Sequence, residues 1–196
     1  MKHDPNPSTT SIRNSIRERW QRLREEINGD AKIQSLQDVY VAELRELHSA
    51  AVQFSTLADE IWIAVRDERL AQRLSAYAVD LRSRALELQT ILKELDRNGT
   101  DRTDEAMQAL AFKASRTAER YGESIRDAAL AGALQVIMHY MIAEHGTLAA
   151  HARVLGRTKD AECFGRYATH DKTVDAEISD IAVHTLNVQA AGQTAH

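Results

Sequence analysis

The sequence predicts an all-α protein built on a four-helix bundle, and three observations carry that expectation. The only prolines are Pro5 and Pro7, so nothing breaks a helix beyond the first ten residues. Ala, Leu, Arg and Glu, all strong helix formers, dominate the composition. Aromatic residues make up 5% and β-branched runs are short, which argues against a large sheet. With 196 residues, one domain with a sizeable core is the default.

Residues 1–10 are short, polar and proline-bearing, and are expected to be disordered. An amphipathic helix is predicted from about Ser11 to Asn28, with Ile12, Ile16, Trp20, Leu23 and Ile27 on one stripe and Gly29 as its C-cap. It would dock on the bundle, pair with another protein or subunit, or lie on a membrane surface. The next helix starts near Ser35, which stands in capping spacing with Asp38, and ends around Val65. Its apolar stripe reads Leu36, Tyr40, Leu47, Ala50, Phe54, Leu57, Ile61. Asp67 caps a following helix with Leu70, Leu74, Ala78, Leu81, Ala85, Leu88 and Leu92, broken at Asn98-Gly99-Thr100-Asp101.

A shorter helix is expected from about Asp104 to Glu119, then a turn at Tyr121-Gly122. A long helix from about Ser124 to Leu155 closes at Gly156, and Thr158 or Asp160 caps a last one reaching Leu186. Two helices, a connection holding a short helix, and two more helices is the wiring of a ferritin-like bundle. The expected boundaries are residues 1–30 for the tail and N-terminal helix, 31–188 for the bundle, and 189–196 for a flexible C-terminal tail.

The formal net charge of −4 and the interleaving of acids and bases describe a solvated helical surface, without the basic face of a dedicated nucleic-acid binder. Cys163 is the only cysteine, so no intrachain disulfide and no Cys-based zinc site can form. No apolar run approaches the ~18 residues of a membrane span. MKHDPNPSTTS lacks a signal-peptide core. Cytoplasm is the expected compartment.

Several polar residues fall on apolar stripes. At about 100° per residue, Glu43 lies in line with Leu36, Leu47, Ala50 and Phe54. A carboxylate there is costly unless it is paired, metal-bound, or near enough a helix end to meet water. On the last helix, His170 and Asp171 flank the stripe of Tyr167, Val174, Ile178 and Ile181. Tyr77 lies close to the inner stripe of its helix, with Asp80 at the edge. His145 joins Leu134, Met138, Met141 and Ala149 on the long helix, where a lone histidine is more often a satisfied core residue than a ligand. Helices that each aim an acid or imidazole inward are how bundles build carboxylate metal sites.

At these residues the chain resembles the YciE/YciF family of ferritin-like bacterial stress proteins, over about residues 33–183. LQDVYVAEL at 36–44 is similar to the family's Leu-x-Asp-Leu-Tyr-x-Ala-Glu opening. HYMIAEHGTLAAHARVLG at 139–156 is similar to its His-Tyr-Glu-Ile-Ala-x-Tyr-Gly-Thr-Leu stretch, and KTVDAEISDIA at 172–182 to the segment after its paired glutamates. The resemblance implies a di-metal site with Glu43 as the ligand of the first bundle helix. Tyr77 and Asp80 stand where the family has a His and a Glu three residues apart. Met138-His139-Tyr140-Met141 replaces Glu-His-Tyr-Glu, and His170-Asp171 replaces a Glu pair.

Two cations about 3.5–4 Å apart repel, and bridging carboxylates offset that repulsion. With two glutamates exchanged for methionine, the remaining candidate metal ligands are Glu43, Asp80, His170 and Asp171. Thioether sulfur is a poor ligand for Fe²⁺ or Mn²⁺, while Met fills core gaps well. The expectation is therefore a stress-associated structural or interaction protein, homodimeric, with a largely vestigial site and no cofactor. The alternative is a divergent iron or manganese oxidoreductase handling oxygen or peroxide. Nucleophilic catalysis has little support: Cys163 reads as a structural thiol on an inward stripe, and Gly156-Arg157-Thr158 is a helix junction rather than a phosphate loop.

Overall fold

The computed structural model describes residues 33–95 and 102–193. The described elements all lie within one compact unit, Ser35–His196. The expected Ser11–Asn28 helix and the Asn98-Gly99-Thr100-Asp101 break lie outside the described residues.

Helix α1 spans Leu36–Ile61, starting where Ser35 Oγ accepts the Asp38 amide at 3.1 Å. Such a cap contributes about 1 kcal/mol. The α-helix stops four residues short of the expected Val65, because Trp62–Ala64 tighten into a 3₁₀ turn. Asp67 then caps α2 (Glu68–Glu94), accepting from the amides of Arg69 and Leu70. Asp104 caps α3 (Glu105–Arg120) through the Met107 amide at 2.8 Å.

Helix α4 (Glu123–Val154) is the longest. It ends at Gly156, whose φ of 72° suits a residue without Cβ. The Arg157 amide bonds the Ala152 carbonyl and the Gly156 amide that of Arg153, which satisfies two terminal carbonyls. Helix α5 (Thr158–Ile181) starts at Arg157 with no side-chain cap. Neither Thr158 nor Asp160 caps it, and Asp160 is instead buried beneath α1 contacts described below. A π-helical stretch, Ala182–Leu186, leads into α6, Asn187–Gln193. The helical path thus runs past the expected end at Leu186.

In the bundle α1 neighbours α2 and α4, while α5 neighbours α4 and α2. The crossover helix α3 lies against α1 and α4. The apolar stripes meet in one core, where Tyr40, Phe54, Leu81, Leu134, Met138, Met141 and Phe164 are buried. No strand occurs among the described residues, and no described helix is long and apolar enough to cross a membrane.

Candidate functional site

The polar centre of the bundle is built around Asp171, which α5 buries completely (0% exposed). Its carboxylate accepts from three side chains on two other helices. Tyr77 Oη of α2 donates to Oδ1 at 2.8 Å, and Arg84 Nη1 of α2 donates to the same oxygen at 2.6 Å. His145 Nδ1 of α4 lies 2.7 Å from Oδ2. A carboxylate can only accept, so the proton on that nitrogen belongs to the ring.

Arg84 is itself 4% exposed. Its guanidinium stacks 4.5 Å from the Tyr167 ring centroid and 5.4 Å from that of Tyr77, contacts that favour a desolvated cation. Its Nη2 lies 2.8 Å from His170 Nδ1. Guanidinium has no acceptor, so His170 Nδ1 accepts and the ring proton sits on Nε2, facing Asp80 Oδ2 at 3.3 Å. Asp80 also lies 3.7 Å from Arg84, one helical turn away. His145 closes the layer, meeting the Tyr167 ring edge-on at 5.5 Å.

Burial alone would raise the Asp171 carboxyl, but the bond and charge of His145 and the charge of Arg84 outweigh it and hold it below the usual carboxylate range. Burial and then the Asp171 charge push the Tyr77 phenol well up, so it stays a donor. For Arg84, burial works against the charge, yet Tyr77, Asp171 and Asp80 together raise it above its ordinary value.

Of the four ligand candidates, Asp80, His170 and Asp171 are brought together, but around Arg84 rather than around a shared gap. Glu43 is elsewhere. It is half-buried and its Oε2 meets His151 Nδ1 of α4 at 2.7 Å, not Tyr77 or His170. The residues present do not fit a di-metal centre. Both Asp171 oxygens are already engaged, a permanent cation fills the layer, and Met138 and Met141 supply only buried thioethers. Among the described residues no group of three or more His, Cys, Asp or Glu is arranged to hold an ion.

Reading the sequence alone missed Arg84, although a signal for it exists. Tyr77, Leu81, Arg84 and Leu88 recur at spacings of four, three and four, a stripe facing the core. It also missed two buried aspartates. Asp160 accepts from Tyr40 Oη at 2.7 Å and from Arg157. Asp104 accepts from Tyr140 Oη at 2.7 Å, in addition to capping α3. Cys163 is half-buried rather than inward, with its sulfur 3.6 Å from Glu87.

Asp104 belongs to a second polar region, with Glu43 and Glu46 of α1 and Glu144 of α4. Glu46 pairs with Arg102 at 2.6 Å. Burial, and then the charges of Asp104, Glu43 and Glu46, push the Glu144 carboxyl up to about 7.

Together, bundle and site define a ferritin-like helical protein whose central polar layer is closed by an arginine. The chain belongs to the family described as Domain of unknown function (DUF892), whose model matches residues 35–191. It is 27% identical to Protein YciF of Escherichia coli K12 over 160 residues, which covers 81% of this chain and 96% of that one. The crystal structure of the E. coli stress protein YciF superposes with a TM-score of 0.74 at 27% identity, covering 79% of this chain and 99% of that one. YcfI from Rhodopseudomonas palustris matches with a TM-score of 0.73 at 22% identity and 79% and 99% coverage, a likeness of fold alone.

Proposed function

We propose that this protein is a metal-free member of its family, stress-associated as the E. coli relative is described, and that it serves as a structural or interaction protein. The observation that supports this reading is Arg84, whose guanidinium sits 2.6 Å from Asp171 in the layer where a ferritin-like protein holds its metals. A dication placed there would face that charge at a few ångströms in a dry core, where repulsion is barely screened. The loss of two carboxylates to Met138 and Met141 acts in the same direction.

Metal analysis tests the proposal. Protein purified without a metal-affinity tag should carry no stoichiometric iron or manganese. Restoring carboxylates by Met138→Glu and Met141→Glu should lower the melting temperature without producing metal binding, because Arg84 remains. Adding Arg84→Gln to that pair should allow Fe²⁺ or Mn²⁺ to bind and raise the melting temperature by mass action. Two metals per unmodified chain, with oxygen consumption abolished by Glu43→Ala, would instead make this a divergent di-metal oxidase.

A further inference from the structure

The junction of α3 and α4 carries a surface that the central layer does not explain. There Phe112, Lys113, Arg116, Arg120, Tyr121 and Ile125 line a groove of about 560 Å³. Phe112 is 64% exposed and Tyr121 45%, unusual for aromatic residues on an otherwise ordinary helical surface. The three cations recur at i, i+3 and i+7, so they follow one face of α3 over about 10 Å.

Among the described residues none of those cations forms an ion pair, and no carboxylate lines the groove. The nearest acid of α4, Glu123, is drawn away by an ion pair with Arg66. Arg116 lies 5.7 Å over the Phe112 ring, which holds charge and aromatic surface together. All this stands on a chain whose net charge is −4.

We infer that this groove docks an acidic segment of a partner protein, with an aliphatic or aromatic side chain seated between Phe112, Tyr121 and Ile125 and flanking carboxylates on Lys113, Arg116 and Arg120. Charge complementarity selects the sign of the partner, and the apolar floor selects a peptide side chain. A nucleic acid would need a longer basic track, because three phosphate contacts give little affinity at physiological salt. A flat anionic membrane does not fill a concave groove. The inference goes beyond the proposed function and does not depend on the state of the Asp171 layer.

The full chain is titrated into a dye-labelled short peptide in which Asp and Glu flank Leu and Phe, and anisotropy is followed. Parallel titrations use the same peptide with Lys in place of its acids, a labelled oligothymidine, and phosphatidylserine vesicles. The acidic peptide should bind, more weakly as salt rises. Lys113→Glu with Arg116→Glu and Arg120→Glu should weaken it by about tenfold or more, and Phe112→Ser by about threefold, as rim charges and an aromatic anchor do. Arg116→Lys with Arg120→Lys should bind nearly as well as the unmodified chain. These side chains are exposed, so unchanged melting curves verify that the variants remain folded. The inference is overturned if the acidic peptide fails to bind or binds the charge-reversed chain equally well. It is also overturned if the oligothymidine or the vesicles bind through the three cations in the peptide's place.

Discussion

Two polar regions of this bundle place carboxylates between helices by opposite means. Asp171 is entirely buried and is met by a cation, a phenol and an imidazole. Glu144 is half-buried and is met mainly by other acids, Asp104, Glu43 and Glu46. The first carboxyl is held below its usual range and the second is pushed up to about 7. Burial raises both carboxyls, so depth alone cannot explain why the deeper group is the easier one to ionise. What decides is whether the neighbours donate or repel.

The largest expected effect comes from breaking the first arrangement. Arg84→Met leaves Asp171 buried with only Tyr77 and His145 to meet its charge, and should cost about 3–5 kcal/mol in unfolding free energy measured with urea. Pairing it with Asp171→Leu removes both charges, and the double variant should recover most of that loss. If the double variant is as unstable as the single one, Arg84 contributes packing against Tyr77 and Tyr167 rather than charge.

Tyr77→Phe is milder. It removes one of the two donors to Asp171 Oδ1 but keeps the ring against Phe54, 5.5 Å away. A loss of about 1–2 kcal/mol is expected, since Arg84 still serves that oxygen. Asp171 stability is present at neutral pH and is lost as pH falls through its lowered folded value, so the gap between Tyr77→Phe and the unmodified chain should narrow in strong acid. A gap that stays constant down to pH 2 would detach Tyr77 from the ionised carboxylate.

The same contrast explains what could be read from the sequence. The 3.6-residue period exposed the stripes, so Leu74, Leu81, Met138 and Val174 fell where expected. Local rules located Ser35, Asp67 and Gly156, because a cap needs only its own turn. Glu43 stands on its stripe as a carboxylate that wants a partner or a metal. Its partner, His151, is 108 residues away, and no period along one helix specifies the axial register between two. Arg84 was overlooked for a different reason. A long cationic side chain is ordinarily assumed to reach water, and only the guanidinium's neighbours on α5 show that this one does not.

The smallest effect sharpens the second region, and its sign is the informative part. A carboxyl raised to about 7 in the folded protein, against an ordinary value near 4.5, binds its proton more tightly folded than unfolded. Stability should therefore decline as pH rises between those values, the reverse of the trend for Asp171. Glu144→Gln removes that titration while keeping the shape. At pH 4, below both values, the variant and the unmodified chain should melt most nearly alike, because Glu144 is then largely protonated folded and unfolded. At pH 8 the variant should be the more stable, by on the order of 1 kcal/mol, a figure reduced from the full shift because the half-exposed group is screened by water. The measurement is the difference in melting temperature between the two proteins across pH 4 to 8. A difference that does not change with pH would mean that neither burial nor the charges of Asp104, Glu43 and Glu46 raise Glu144 in the fold. The region would then be a set of separate hydrogen bonds, Glu43 to His151 and Asp104 to Tyr140, rather than one acidic field.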